Sequence, residues 1–282
     1  MNNLGYYNGK IGPIEEMTVP MTDRAFYFGD GVYDAVLCRN NIPYLLSIHL
    51  ERFYKNCDLL DINIPMEKCK LSSLLESLVG QVDGQEKFIY FHVSRGSALR
   101  THTYEKGKGN LCVMITPFEV GDVHKSIDAV TYNDGRYDFC NYKTLNLLPG
   151  VLAAQYAKDR ECDEAIFVRN GIITEGSHCN VSIIKDNKLI THPEGKRILS
   201  GVSRRKLLFF AEKMGLEICE REYVVKELLD ADEAVITSSV KIIRAINSVD
   251  GVEIGGKNKK ILTKIIDLMY GDYLEKTSIK QK

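Results

Sequence analysis

The chain has 282 residues, of which 44% are hydrophobic and 27% charged, and its formal net charge is -1. This length allows one large domain or two ordinary ones, and the balanced charge offers no basic surface for nucleic acid. No apolar run approaches the ~18 residues that a membrane span needs, and the N-terminus lacks a signal-peptide pattern. The eight cysteines form no Cys-x-x-Cys pair, which predicts reduced thiols in a cytoplasmic protein without a metal centre.

The first part of the chain alternates predicted strands and helices. Asn8-Gly9 is a hairpin-turn signal and predicts a hairpin over residues 4–11. Apolar residues at helical spacing predict a helix over residues 47–62, with Ser47 as its N-cap. The other predicted elements of this part are a tight glycine bend over residues 28–34, a helix over 66–79, and strands over 87–94 and 111–116.

A basic loop follows the strand over residues 87–94 and contains Arg100 and His102. In an extended segment these side chains lie on the same side, because the period is two. Together they would form an anion receptor, in which the arginine can bind a carboxylate through two parallel bonds. The alternative is an exposed basic loop. Taken alone, Tyr33 is better interpreted as a buried tyrosine, and Arg52 as a solvated helix arginine.

A domain boundary is predicted where proline and glycine occur without periodicity after the first set of strands. The predicted division is a smaller N-terminal domain over residues 1–117, a linker over 118–126 and a C-terminal domain over 127–282. The second domain is expected to contain Lys143, just before a helix over residues 151–161 that Pro149-Gly150 opens. A lysine at such a junction can be held by the backbone and partly desolvated, which lowers its pKa and makes it a nucleophile toward an aldehyde. Most lysines are solvated surface charges, so this signal needs support.

Two later segments are candidate phosphate contacts. Residues 199–204 precede a predicted helix that runs to about Met214, and its first backbone amides have no partner within the helix. There Gly201 would leave room for a ligand and Ser203 would offer a hydroxyl. A strand over residues 234–239 ends in three hydroxyl side chains. Between Lys143 and these segments, Asn170-Gly171 predicts another hairpin, whose return strand leads into residues 174–180.

In the order and residue sequence of these motifs, the chain resembles the fold-type IV pyridoxal-phosphate enzymes. This class includes D-amino-acid transaminases, branched-chain aminotransferases and aminodeoxychorismate lyase. The resemblance covers nearly the whole chain and is strongest to D-amino-acid transaminase. It implies an α/β fold with a smaller N-terminal α/β domain and a larger C-terminal domain with a pseudo-barrel sheet. The matching stretches are residues 28–33, 49–53, 143–146, 174–177, 198–204 and 237–239.

The same resemblance assigns the cofactor-binding residues of a pyridoxal 5'-phosphate site. It implies that Lys143 holds the cofactor as a Schiff base and that Glu175 pairs with the pyridine nitrogen, which keeps the ring an electron sink. It also implies that Leu199 packs against the ring. The phosphate contacts that it implies are Arg52, the amides of Val202 and Ser203, and the hydroxyl of Ser238 or Ser239.

For the substrate, the resemblance implies a carboxylate trap formed by Tyr33, Arg100 and His102, the last two supplied by the neighbouring subunit of a homodimer. The implied reaction moves an amino group from an amino acid, D in configuration, to a 2-oxo acid by ping-pong kinetics. A branched-chain L-aminotransferase, 4-amino-4-deoxychorismate lyase and a non-enzymatic cofactor-binding protein are the alternatives.

Some positions depart from the pattern of a D-amino-acid transaminase. His178-Cys179 stands where small hydroxyl residues are expected, and Lys241 and Arg244 follow Ser239. The extra positive charge would either favour an acidic substrate side chain or face solvent. These departures concern the choice of substrate more than the cofactor.

Overall fold

The computed structural model describes residues 1–279, which group into two compact units. Unit 1 comprises Met1–Val120, Tyr142–Asn146 and residues from Tyr273 onward, and unit 2 comprises Gly121–Asn141 and Leu147–Asp272. The short segment around Lys143 therefore groups with the first part of the chain, although it follows the predicted linker. The predicted division into domains at residues 118–126 stays a prediction.

Unit 1 contains a six-stranded sheet in which every strand pair is antiparallel. The strand order is β2-β1-β6-β5-β3-β4. Asn8 and Gly9 both have positive φ, which confirms the predicted first hairpin. The strands are β1 (Leu4–Tyr7), β2 (Lys10–Gly12), β3 (Gly31–Arg39), β4 (Ile42–Pro43), β5 (Glu86–Ser94) and β6 (Asn110–Pro117).

Two helices, α2 (Leu46–Leu59) and α3 (Lys68–Val79), bury apolar faces in the core of unit 1, and a short helix, α1 (Arg24–Phe28), precedes β3. The buried stripe Leu50, Phe53 and Cys57 explains why α2 forms as predicted. The predicted N-cap at Ser47 is wrong. The N-cap is Leu45, two residues earlier and in a left-handed conformation, and the first helical residue, Leu46, is buried.

Unit 2 contains a nine-stranded mixed sheet with the order β12-β11-β10-β13-β14-β7-β8-β9, and β15 pairs with β14. Its β8–β9 turn is the hairpin predicted from Asn170-Gly171. The strands are β7 (Ile127–Asn133), β8 (Glu164–Arg169), β9 (Ile172–Gly176), β10 (Asn180–Lys185), β11 (Lys188–Thr191), β12 (Glu217–Glu220), β13 (Glu233–Ser238), β14 (Ile242–Val249) and β15 (Val252–Glu253).

The helices of this part of the chain are α4 (Leu148–Lys158), α5 (Val202–Lys213), α6 (Val225–Leu229) and α7 (Lys259–Lys276). In unit 2 the small residues Ala153 and Ala157 allow α4 to pack closely on β8 through Ala165 and Phe167. Strands β10 and β13 are buried on both faces, which is why their central residues are mostly apolar. Both strands end in polar residues. Among residues 1–279, no helix has the length and apolar character that crossing a membrane requires.

Candidate active site

Lys143 lies in a short extended segment that pairs with the first residues of β3. The Tyr33 amide donates to the Lys143 carbonyl at 3.0 Å, and the Leu145 amide donates to the Gly31 carbonyl at 3.1 Å. The Asn146 side-chain amide adds a bond of 3.1 Å to the Gly29 carbonyl. The backbone from the Lys143 carbonyl onward is therefore fixed to a sheet strand. The sequence predicts that the backbone can hold this lysine, but not that β3 is the strand that does so.

The side chain of Lys143 is half-buried and points at an aromatic face. Its Nζ lies 4.2 Å from the centroid of the Tyr33 ring, within the range of a cation–π contact. The Tyr33 ring stacks in turn on Tyr90, with 5.6 Å between centroids. These contacts limit the positions that the amine can reach. The nitrogen still lies at the end of the flexible lysine side chain.

A buried charged cluster adjoins this lysine and contains Arg52. Asp34 accepts bonds from Arg52 Nε at 2.9 Å and Nη2 at 2.8 Å, and from His49 Nδ1 at 2.8 Å. Burial by itself would raise the pKa of Asp34, but the Arg52 and His49 charges and hydrogen bonds hold it well below its usual range. Burial lowers the pKa of His49, and the nearby Lys143 charge adds to this.

Asp34 therefore orients the Arg52 guanidinium by a two-point bond. Sequence reasoning included Arg52 and missed both Asp34 and His49. The available signal was an aspartate inside the otherwise apolar run after the glycine bend, where a buried carboxylate requires a partner.

Arg100 and His102 lie on an exposed loop between β5 and β6 and converge on one aromatic ring. The Arg100 Cζ is 5.0 Å from the centroid of Phe28, and the His102 ring centroid is 5.4 Å from the same point. The two side chains therefore share one side of the loop, as the period-two argument predicts. Their role as a carboxylate trap stays a prediction.

In unit 2, Glu175 is a buried carboxylate with donors on both oxygens. Its Oε1 accepts from Arg136 Nη1, and its Oε2 accepts from the Asn180 side chain and from the Leu199 amide, each at 3.0 Å. Burial raises the pKa of Glu175, and the Arg136 charge and the Leu199 hydrogen bond oppose that rise. Glu175 and Leu199, two of the predicted site residues, are thus joined directly.

Arg136 is the central residue of this cluster, and sequence reasoning missed it. Besides Glu175 it binds both oxygens of Asp134 at 2.9 Å and the Arg197 carbonyl at 3.2 Å. Burial would raise the pKa of Asp134, but hydrogen bonds and charge from Arg136 lower it to about 2. One guanidinium thus binds two carboxylates in a largely buried setting: it lowers the pKa of Asp134, and at Glu175 it opposes a rise that burial causes. No motif in the sequence distinguishes this arginine from a loop residue.

The start of α5 has the features of an anion site. Its N-cap, Gly201, supplies no side-chain hydrogen bond to the first amides, so those of Val202 and Ser203 have no intrahelical acceptor. The Ser203 hydroxyl donates to the Ser238 carbonyl at 2.9 Å, which joins this helix start to the end of β13. At the same strand end the buried Thr237 hydroxyl has no hydrogen-bond partner.

Gly201 serves a different purpose from the one predicted. A Cβ at this position would lie 2.1 Å from the Asn180 Oδ1, so the space beside Gly201 is filled by the Asn180 side chain rather than open to a ligand. Asn180 itself donates to Glu175 and, at 2.9 Å, to the Leu199 carbonyl. The glycine therefore permits a polar bridge between the start of α5 and the buried glutamate.

The positive residues that depart from the expected pattern have acidic or backbone partners. Glu164 accepts from Lys241 Nζ at 3.4 Å and lies 3.5 Å from His178 Nδ1. Burial would raise the pKa of Glu164, but the charges of these two residues and the Ser177 hydrogen bonds lower it. Arg244 does not face solvent. It is buried and donates to the carbonyls of Lys241 and Ile243.

Within unit 1 the predicted residues Tyr33 and Lys143 are in contact, and Arg52 is tied to β3 through Asp34. Within unit 2, Glu175 pairs with Leu199 and Ser203 pairs with Ser238, while Val202 and Ser239 adjoin this second pair in the chain. Across residues 1–279 no group of three or more His, Cys, Asp or Glu is arranged to hold a metal ion.

Comparison with known proteins places the chain in a family. Residues 31–249 match the family described as amino-transferase class IV. D-alanine aminotransferase from Bacillus licheniformis is 34% identical over 264 residues, covering 92% of each chain, and the Staphylococcus epidermidis protein of the same name is 30% identical, covering 97% of this chain and 99% of its own.

Solved structures agree on the fold. The branched-chain amino acid aminotransferase of Escherichia coli matches 100% of this chain and 98% of its own with a TM-score of 0.87 at 20% identity. That of Thermoproteus uzoniensis, solved with norvaline, matches 96% of this chain and 97% of its own with a TM-score of 0.86 at 22% identity. The predicted α/β fold of the fold-type IV enzymes is thereby confirmed. The chain belongs to the class IV aminotransferases and is an aminotransferase enzyme.

Proposed function

We propose that this aminotransferase depends on pyridoxal 5'-phosphate and transfers the amino group of a D-amino acid, D-alanine among them, to a 2-oxo acid. The observation that carries the proposal is the backbone-anchored Lys143, whose amine lies against the Tyr33 ring. The relatives named D-alanine aminotransferase, at 30–34% identity over nearly the whole chain, support the choice of substrate class.

The residues that would hold the cofactor fit its chemistry. The uncapped start of α5 and the unpartnered Thr237 hydroxyl suit a phosphate dianion, as does the oriented guanidinium of Arg52. The carboxylate of Glu175, fixed by Arg136, suits a protonated pyridine nitrogen, and Leu199 suits the face of the ring. When bound, the cofactor supplies an electron sink that weakens the Cα–H bond of the amino acid.

Lys143 would do two things in sequence. Its Nζ would hold the cofactor through the aldehyde carbon, and with substrate bound the same amine would accept the Cα proton and later return it. Tyr33 limits where the amine can go, so the proton is taken from one face of the substrate. Because the amino group is stored between two half-reactions, the kinetics are ping-pong.

The position at which the substrate carboxylate binds would determine which enantiomer reacts. With the Cα–H bond directed at Lys143, exchanging the pockets for carboxylate and side chain inverts the enantiomer that reacts. Arg100 and His102, which converge at Phe28, suit a carboxylate better than an aliphatic chain. The likeness to branched-chain enzymes, at 20–22% identity, concerns the fold alone and does not favour an L-branched-chain substrate.

A homodimer in the cytoplasm completes the proposal. Unit 1 exposes 72–79% of the side chains of Met21, Phe26 and Leu99, and unit 2 exposes Tyr137 and Leu148. Where such side chains form one contiguous patch, they would mark a surface that a partner covers. The eight cysteines, all within the described residues, have free thiols, which suits a reducing compartment.

The decisive experiment measures amino transfer to pyruvate and to 2-oxoglutarate from a panel of D- and L-amino acids. We expect D-alanine to be an efficient donor and the L-enantiomers to be poor ones. Including D-glutamate and D-aspartate tests whether His178 and Lys241 favour an acidic side chain despite their pairing with Glu164. Activity confined to L-leucine, L-isoleucine and L-valine would contradict the substrate assignment.

Replacement of Lys143 tests the mechanism. Lys143→Ala should abolish turnover, and borohydride treatment should no longer attach the cofactor covalently to the peptide around residue 143. The exposed Lys158→Ala, at the end of α4, is the matched control and should behave like the wild type. Turnover that persists in Lys143→Ala would show that another group carries the chemistry.

A further inference from the structure

Asp30 of unit 1 binds two arginines at once. Its Oδ2 accepts from Arg24 Nε at 2.8 Å and from Arg95 Nε at 3.0 Å, and its Oδ1 accepts from Arg95 Nε at 3.0 Å. Both guanidiniums are largely shielded from water, with side-chain exposures of 6% and 11%. Charge-assisted bonds in such a setting are short and directional, so this junction is stiff.

From this junction, Arg24 reaches the loop that contains Arg100 and His102. Its Nη1 donates to the Thr101 carbonyl at 2.8 Å and to the Thr103 carbonyl at 3.4 Å. The two acceptors flank His102, and the first of them, Thr101, directly follows Arg100 in the chain. One buried guanidinium therefore fixes the backbone between the two basic side chains.

Arg95 holds the following part of the same loop. Its guanidinium stacks on the Tyr104 ring at 3.8 Å and donates to the Asp61 carbonyl at 2.8 Å. The loop is thus fixed at residues 101–104 by two arginines that share one carboxylate. We call Arg24, Asp30 and Arg95 the arginine clamp.

Outside the clamp, the loop makes exposed contacts with Asp61: Lys106 Nζ pairs with its carboxylate at 2.9 Å, and the Tyr104 hydroxyl donates to it at 3.4 Å. Exposed pairs of this kind contribute little. Behind it lies a cleft of about 410 Å³, lined on one side by Glu105, Lys106 and Gly107 and on the other by residues 61–64. The loop residues from Thr101 to Lys108 are exposed, so apolar packing does not fix them. Without the clamp this segment has room to shift into the cleft.

We propose that the arginine clamp positions Arg100 and His102 for the substrate carboxylate and so sets the affinity of the enzyme for its amino-acid and 2-oxo-acid substrates. The inference rests on the proposed function, in which those two residues bind the carboxylate. Arg24, Asp30 and Arg95 act through the loop backbone and are positioning residues.

The test variant is Arg24→Gln, measured in the holoenzyme by the half-reaction with D-alanine. The half-reaction rate is measured at increasing donor concentrations until it no longer rises. The resulting curve gives the dissociation constant of the donor and the maximal rate separately. We expect the dissociation constant to rise roughly tenfold or more, because the substitution removes hydrogen bonds made by a charged group. The maximal rate should change much less. Asp30→Asn keeps the side-chain shape, so it serves as a second variant and should shift the same constant in the same direction.

Two further measurements separate positioning from general destabilisation. Hydrogen exchange of the backbone amides in residues 99–108 should be faster in Arg24→Gln and unchanged in the control Arg160→Gln, an exposed arginine of unit 2. In the background of Arg100→Ala, which should weaken donor binding by itself, Arg24→Gln should weaken it little further, because both changes remove the same contact.

An unchanged dissociation constant in Arg24→Gln would overturn the inference, and so would fully additive effects with Arg100→Ala. The proposed function fails separately, if the wild-type protein shows no transamination with any D-amino acid. Unchanged exchange of residues 99–108 in both clamp variants would also refute the clamp, and this measurement needs no activity.

Discussion

At the residue scale, largely buried ion pairs support two of the predicted site residues. Arg52 is held by Asp34, and Glu175 is held by Arg136. The motifs identified Arg52 and Glu175, because the family resemblance covers residues that would contact a ligand. Their supports could not be found in this way. A partner at a separation of 39 residues, such as Arg136 to Glu175, is chosen by the fold and leaves no local pattern.

Arg136 offers the clearest test at this scale. Replacing it by Met leaves Asp134 and Glu175 as buried carboxylates without their main cation. We expect a loss of about 3–5 kcal/mol in the free energy of unfolding, the range for breaking a buried pair on one side. Chemical denaturation of wild type and variant measures this directly.

The neighbouring Asp138→Asn is the matched control for Arg136→Met. Asp138 is an exposed acid that pairs with Arg169, so its replacement should cost less than about 1 kcal/mol. Equal effects of the two substitutions would show that the Arg136 cluster is no more important than a surface pair. Arg136→Lys should recover only part of the loss, since an ammonium cannot bind both carboxylates with a planar fork.

At the element scale, local turn chemistry was the most predictable feature. Asn8-Gly9 and Asn170-Gly171 adopt positive φ and form hairpins, because this pair favours the turn that matches the strand twist. The start of α2 was misplaced, since its N-cap, Leu45, makes no side-chain capping bond that a sequence pattern could reveal. Pairing of residues 143–145 with β3 was also unpredictable, because strand partners distant in sequence are selected by packing.

The junction of β10 with α5 gives a prediction about elements. Gly201→Ala would place a methyl group where the Asn180 side chain lies, so Asn180 must leave Glu175 and the Leu199 carbonyl. We expect a loss of roughly 2–4 kcal/mol in the free energy of unfolding and weaker cofactor binding. Cofactor titration and denaturation of the same sample measure both effects.

Gly195→Ala is the control for this junction, because a methyl group there meets no atom within 4 Å. It should change the free energy of unfolding by no more than about 0.5 kcal/mol. Equal tolerance of alanine at positions 195 and 201 would show that the bridge through Asn180 does not depend on the glycine.

At the scale of the whole molecule, two buried histidines, His49 and His192, and the half-buried His92 make stability depend on pH. Burial lowers the pKa values of His49, His92 and His192 below the ordinary histidine value, and for His92 the pKa falls to about 4 despite the opposing charge of Asp23. Between pH 6.5 and about 4 the unfolded chain therefore binds a proton at position 92 that the folded chain does not. Folding stability must decrease as the pH falls through this window.

His92→Phe isolates one part of this effect. The His92 Nδ1 has no hydrogen-bond partner and the ring lies 5.5 Å from that of Tyr90, so phenylalanine fits the chemistry of the site. In both proteins the free energy of unfolding should fall when the pH is lowered from 7.5 to 4.5. The fall should be about 2 kcal/mol smaller in the variant than in the wild type. Urea denaturation at a series of pH values gives both curves, and contributions common to both proteins cancel in their difference. Parallel curves from pH 7.5 to 4.5 would show that His92 takes up its proton equally well in the folded state.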